Sequence, residues 1–251
     1  MKIFYSEIPA ADYDTYTFPY AVYAMAETPD DIPSIYRKGF LPYTDIRFRL
    51  PAEPLFYLAR SLRVRLDAFV PTSENRRIAR KMADLNPRME AMDKEKLRDD
   101  KAFMDFCRAY AAERIGDAMN EERLQYIFEH PLLNKIFVFR GDDGVLGYVW
   151  AVDYPPVLHY WFAFFDTRYF DRGIGKWMME RVISYARGKG YEHAYLGTCY
   201  GPKALYKVRD FRAVEFFDGE KWSADVKRLK AKCREKAGSG PDEWKRTHRR
   251  E

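Results

Sequence analysis

Cysteine is scarce in this 251-residue chain: three thiols, Cys107, Cys199 and Cys233, lie far apart in no metal-ligand spacing. An odd number so dispersed argues against a disulfide framework and for a reducing, cytoplasmic setting, and no metal is implied. Histidine is nearly as rare, with four residues in no pattern. His159 stands inside an apolar run, either as a satisfied core residue or as an acceptor-side base. No uncharged apolar run reaches roughly 18 residues, so no membrane span is expected. The opening MKIFYSEIPAADYD lacks a basic region followed by an apolar one, so no signal peptide is expected.

What the chain does have is apolar surface, with 47% hydrophobic and 17% aromatic residues, enough for one large domain or two small ones. Its net charge of +5 is a mild excess compatible with anionic partners. From Val226 onward ten Lys/Arg face four Asp/Glu, a local balance of +6. That tail either tracks RNA phosphates or is a solvated extension, helical to about Ala237.

Residues 1–35, rich in Tyr, Pro and Asp, are expected to be irregular because Pro9, Pro19, Pro29 and Pro33 interrupt any period. Leu62 to Phe69 alternates apolar and polar residues as a half-buried strand does. A helix is expected from Glu74 with Ser73 as its cap. It places Arg76, Arg77, Arg80 and Lys81 on neighbouring positions, as a solvated face or a contact for RNA phosphates. Ala102 to Arg114 and Glu121 to His130 have helical spacing. Ile136 to Phe139 and Val145 to Val152 flank Gly141-Asp142-Asp143-Gly144, a hairpin signal. Val157 to Phe165 is apolar almost throughout, as a central strand buried on both faces is.

Arg172-Gly173-Ile174-Gly175-Lys176 then leads into a helix with apolar residues at Ile174, Trp177, Met178, Val182 and Tyr185. Glycines at a helix N-terminus let backbone N–H groups approach a phosphate, and Arg172 and Lys176 add charge. The plain alternative is a tight turn. His193 to Thr198 forms the next strand, and Lys203-Ala204-Leu205-Tyr206-Lys207 opens a short helix before Phe211.

This order of parts resembles the acyl-CoA core of the GNAT acetyltransferase superfamily, whose Arg/Gln-x-x-Gly-x-Gly/Ala turn is met at Gly173 and Gly175. Phe170 stands where the leading Arg or Gln belongs, and Asp210 where a Gly usually precedes the Phe. The resemblance implies an α+β fold, a mixed and mostly antiparallel sheet flanked by helices, with an N-terminal α/β substrate-side extension. It implies acetyl-CoA as cofactor, held by residues 172–176, and Tyr206 as the acid for the leaving group.

With Arg63-Val64, Phe69, Pro71-Thr72-Ser73 and Arg76-Arg77 added, the chain is similar to the aminoacyl-tRNA–protein transferases over roughly residues 35–225. Phe165-Asp166, Tyr195-Leu196-Gly197, Lys203 to Lys207, Phe211-Arg212, Glu215 and Trp222 follow in that family's order. The implied partners are aminoacyl-tRNA and the N-terminus of an acceptor protein, with no cofactor, DNA or membrane. Arg76, Arg77, Arg80 and Lys81 would hold tRNA phosphates, and Asp153 would orient or deprotonate the amine or, on the plain alternative, cap the loop before Pro155. Tyr206, Lys203 and Lys207 would stabilise the acyl or leaving group, and Glu215 would lie on the substrate side or be structural. Where that family carries a cysteine cluster, Arg49 to Ser61 has none. A catalytically silent RNA- or peptide-binding relative is a third possibility. The expected division is an aromatic and basic region over 1–85, an acyltransferase core over 86–225 and a basic tail over 226–251.

Overall fold

The computed structural model describes residues 1–5, 22–45 and 54–234. The expected irregular stretch at 6–21, the start of the segment from Arg49 and the tail beyond Arg234 fall outside it. The remainder of the first 35 residues is regular. Strands β1 (Lys2–Tyr5) and β2 (Val22–Met25) pair, and helix α1 (Asp31–Arg37) follows. Pro33 is tolerated because it lies in the first turn of α1, where its missing N–H has no intrahelical partner. With β3 (Phe40–Pro42) and β4 (Leu55–Leu58) these strands form a small antiparallel sheet in the order β1-β2-β4-β3.

β5 (Ser61–Arg65) enters the second, larger sheet, ending earlier than its alternating pattern suggested. α2 (Ser73–Met82) is capped by Thr72 rather than Ser73. Thr72 Oγ1 accepts from the Asn75 N–H at 3.1 Å, and Asn75 Oδ1 accepts from the Thr72 N–H at 2.8 Å. This reciprocal cap contributes about 1 kcal/mol to holding the helix start. β6 (Arg88–Asp93), α3 (Lys101–Arg114), α4 (Glu121–Glu129), β7 (Lys135–Gly141), β8 (Gly144–Tyr154) and β9 (Val157–Phe165) follow. The chain continues through α5 (Ile174–Gly188), β10 (His193–Thr198), α6 (Tyr206–Arg209), β11 (Val214–Phe217), β12 (Trp222–Ser223) and α7 (Val226–Arg234).

The larger sheet runs β12-β11-β5-β10-β9-β8-β7-β6, and every neighbouring pair is antiparallel except β9 with β10, which α5 joins. Because β5 lies between β11 and β10, the expected boundary at residue 85 falls inside the unit this sheet builds. One face buries α2 and α5 through Ile78, Met82, Ile174, Trp177, Met178, Val182 and Ile183. The other buries α3 and α4 through Phe103, Cys107, Leu124, Ile127 and Phe128 against Trp150 and Phe164. At the far end of that second face, the small sheet and α1 pack on Val152, Val157 and Tyr195. Each such aliphatic side chain stabilises the fold by roughly 1.5–3 kcal/mol when fully buried. Among the described residues no helix is long and apolar enough to cross a membrane.

The sheet parts at its centre. β9 and β10 pair only at Val157/His193, Leu158/Ala194 and His159/Tyr195. Beyond that, two irregularities occur at one level. β9 carries an extra residue, Trp161, against β8, and β10 shifts register against β5 between Tyr195 and Thr198. Gly197 lies in that shift with φ at +75°, a conformation that favours glycine. Bulges bend and twist the strands that carry them, so the two edges diverge.

Candidate active site

The divergence opens a cavity of about 210 Å³ on the α4 face of the sheet. Its inner end is formed by His159, Gly197, Thr198 and Lys207, its outer wall by Tyr43, Thr44 and Asp45, with Arg123 from α4 alongside. Lys207, the second residue of α6, reaches into the gap. Its Nζ donates to the carbonyl oxygens of Leu196 at 2.7 Å and Thr198 at 3.3 Å. Those acceptors exist because β10 has lost its ladder partner there. Burial pushes the Lys207 ammonium down to about 8.

His159 is 1% exposed, and its Nδ1 lies 3.0 Å from the Tyr36 hydroxyl. Its Nε2 is buried with no hydrogen-bond partner. Burial first, and the nearby Lys207 charge second, push the imidazole down to about 3, so it is neutral across the physiological range. A Cβ built on Gly197 would stand 3.7 Å from Lys207 Nζ and 3.9 Å from His159 Nε2. The missing side chain therefore leaves a space that both nitrogens border. Arg123 donates to the Ala118 carbonyl at 2.6 Å and to Thr44 Oγ1 at 3.2 Å.

The other residues expected at the site are distributed differently. Tyr206 faces the opposite side of the sheet, packed in the same core as Tyr160 and with Tyr110 beside it. Burial raises its phenol to about 12. Asp153 lies at the closed end of β9 and β10, opposite Leu158, and does not line the cavity. Its carboxylate accepts from the Tyr191 hydroxyl at 2.7 Å, and its backbone is clamped to the Asn134 side chain at 2.8 Å by both N–H and C=O. Lys203 is exposed outside the cavity. Glu215 pairs with Arg63 at 2.7 Å, and the Arg63 guanidinium lies 4.1 Å from the centre of the Trp222 ring. Arg76, Arg77, Arg80 and Lys81 are exposed on α2, Arg77 held by Glu74 at 2.7 Å and Arg76 by the Pro71 carbonyl at 2.7 Å.

The glycine turn is closed from within. Gly173 has φ at +86°, and a Cβ there would meet Ile78 of α2 at 3.3 Å. The N–H of Gly173 donates to Phe170 and that of Lys176 to Gly173. Arg172 is bonded to the Lys81 carbonyl and the Asp84 carboxylate, and Lys176 to Asp210 at 2.7 Å. Asp210 also accepts from Arg209 at 2.6 Å. Both cations and two of the turn's donors are already in use, so this turn does not fit the pyrophosphate of a coenzyme A, which would also meet the Asp84 and Asp210 carboxylates.

Residues 100–211, from the cap of α3 through α6 to Phe211, match the model of the Acetyltransferase (GNAT) family. Over this stretch, under half of the chain, the sequence is similar to the GNAT acyltransferases. The enzyme is thus an acyltransferase, on the expected α+β fold with a mostly antiparallel sheet flanked by helices. Two aspartate/glutamate leucyltransferases from strains of Stenotrophomonas maltophilia are 26% identical over 174 residues, covering 64% of this chain and 67% of theirs. Among solved structures, the C-terminal domain of a lysylphosphatidylglycerol synthetase from Agrobacterium fabrum aligns with 68% of this chain at 14% identity and a TM-score of 0.44. The L-PGS of Bacillus licheniformis gives 12% and 0.45 over the same share, and the chain spans about half, 52%, of each of these two structures.

Of the residues around the cavity, the sequence had singled out Lys207 and left His159 open. Tyr36, Arg123 and Gly197 were missed as site residues. A glycine inside a strand is a signal for a bulge or a close approach, and that signal stands at Gly197.

Proposed function

We propose that the enzyme moves an aminoacyl group from aminoacyl-tRNA to the N-terminal amine of a protein whose first residue is acidic. The observation that carries this reading is the closed glycine turn, with Lys176 held by Asp210 and Arg172 by Asp84. A donor whose acyl group hangs on the ester of a tRNA 3′ end needs no pyrophosphate cradle there. The likeness to proteins named aspartate/glutamate leucyltransferases supports an aminoacyl group as cargo and an acidic residue on the acceptor. The exposed cations of α2, Arg76, Arg77, Arg80 and Lys81, suit tRNA phosphates, which attract Lys and Arg irrespective of sequence.

In this reaction the free amine attacks the ester carbonyl, a C–N bond forms, and the C–O bond to the 3′ oxygen breaks. Tyr206 gives its proton to the departing oxygen and regains one from the nitrogen, so protons balance. A phenol raised to about 12 stays protonated at neutral pH and is matched to an alkoxide leaving group. The acceptor's acidic side chain would lie toward Arg123 and Thr44 at the outer wall, with its amine directed at the strand divergence. Asp153, held at the closed end, has no part in the transfer.

The test is transfer from charged leucyl- and arginyl-tRNA to peptides beginning with Asp, Glu or Ala. Aminoacylation of the acidic peptides is expected. No aminoacyl transfer, together with consumption of acetyl-CoA, would overturn the proposal. That second donor is favoured by one observation, the match of residues 100–211 to the Acetyltransferase (GNAT) family, and absence of coenzyme A binding in calorimetry would count against it.

A further inference from the structure

We propose that the Nε2–H of His159 and the remaining N–H of the Lys207 ammonium form a two-donor site beside Gly197 for the carbonyl oxygen of the acyl group. They would hold the negative charge that oxygen acquires when the amine attacks, with Tyr36 as the positioning residue for the imidazole. The inference rests on acyl transfer alone and holds for either donor.

The tautomer follows from hydrogen-bond accounting. Tyr36 is fully buried, and among the described residues its hydroxyl is bonded to His159 Nδ1 at 3.0 Å. If Tyr36 donates to Nδ1, the proton of the neutral ring sits on Nε2, and the one unsatisfied group is an N–H facing the cavity. If Nδ1 donated instead, the buried Tyr36 hydroxyl hydrogen and the Nε2 lone pair would both lack partners. Buried polar groups are overwhelmingly satisfied, so the first arrangement prevails.

Lys207 completes the pair by a similar count. An ammonium has three donors. Two are taken by the carbonyls of Leu196 and Thr198, which aim the group and leave one N–H. A Cβ at position 197 would stand within 4 Å of both nitrogens, so an oxygen of similar size fits where glycine has none. The site lies where β9 and β10 lose their pairing, so the acyl carbon can enter between the strands. A neutral imidazole N–H and a buried cation fixed before the substrate arrives need little reorganisation when charge develops.

A substrate-free measurement tests the tautomer. Nitrogen-15 NMR of the resting enzyme should show His159 protonated at Nε2, and Tyr36→Phe should give a mixture of tautomers. A proton on Nδ1 in the wild type would overturn the proposal whatever the donor proves to be. In transfer assays run with each donor, His159→Leu should lower kcat about 100-fold with KM little changed, the usual effect of removing one oxyanion donor. His159→Gln, which keeps an N–H of similar reach, should recover part of that loss, and circular dichroism should show both variants folded. Unchanged kcat in His159→Leu would overturn the proposal. So would a raised KM for the acidic peptide at unchanged kcat, which would assign the two nitrogens to the acceptor's carboxylate.

Discussion

The Lys176 ammonium lies 2.7 Å from the Asp210 carboxylate, whose side chain is 6% exposed, and the pair closes the helix end on which a phosphate would otherwise rest. Asp210 stands at the last residue before Phe211, the position the GNAT pattern gives to glycine. One substitution at the end of α6 thus converts an anion-binding charge at the start of α5 into a brace between two helices.

Asp210→Asn should release that charge. Calorimetry with coenzyme A or pyrophosphate should show little heat with the wild type and weak, roughly millimolar binding with the variant, about 4 kcal/mol of affinity. No gain would mean that Ile78 of α2, packed on Gly173, blocks the turn without help from the carboxylate.

Tyr206→Phe removes the proposed proton donor but keeps the ring that packs with Tyr160 and Tyr110. The transfer rate should fall by roughly 10²–10⁴-fold, the range for losing a general acid. Urea unfolding should change by less than about 1 kcal/mol. An unchanged rate would remove Tyr206 from the mechanism.

Lys207 should set the alkaline limb of activity. Its ammonium is present below about 8 and lost above it, whereas the acceptor's α-amine, with an ordinary pKa of about 8, attacks only when free. kcat/KM should therefore pass through a maximum close to pH 8, and Lys207→Arg should lift the descending limb. Stability has the opposite sign. Because the folded value lies below the ordinary 10.5, the unfolded chain binds more protons between about 8 and 10.5, and this group's contribution to native stability rises with pH across that window. A pH–rate profile on wild type and variant checks the first statement, and denaturant titrations at several pH values check the second.

Gly39, between α1 and β3, packs against β11 of the large sheet, with φ at +88° and the Phe217 ring where a Cβ would stand. Its carbonyl also accepts from Ser61 Oγ at 2.6 Å. Gly39→Ala should cost roughly 2–5 kcal/mol, from a strained backbone and an overpacked contact. Gly116→Ala, at φ +68° with open space around it, isolates the backbone part at about 1 kcal/mol. Equal losses in the two variants would show that the Phe217 ring moves aside freely.

Much of the core was legible along the chain. The apolar run of β9, the hairpin of β7 and β8, the helical spacing of α3 and α5 and the Gly-bearing turn all emerged where their patterns placed them. Each is a local property, because burial of one face imposes its period on the sequence. The first 35 residues were not legible in this way. Their strands are four residues long and their helix seven, too short for a period to show among prolines. The N-cap fell one residue from its expected position because Thr72 and Ser73 both carry a hydroxyl able to cap, Ser the better by type. Only the bond from Asn75 back to Thr72 chooses between them.

The sequence by itself determined the central strands and the helices that cover them, because periodicity records which face is buried, while its resemblance to the GNAT pattern supplied Tyr206 as the candidate acid. Tertiary structure decided which charges are available. Arg172 and Lys176, adjacent to a phosphate-binding pattern, are neutralised by Asp84 and Asp210 from distant segments. Asp153 is carried to the closed end of the strands, while Lys207 and His159 meet across Gly197. Those outcomes depend on partners brought from 11 to 123 residues away, as the Lys207–Leu196 and Tyr36–His159 bonds show. A pattern with a period of two or 3.6 residues carries no record of what a fold sets against it.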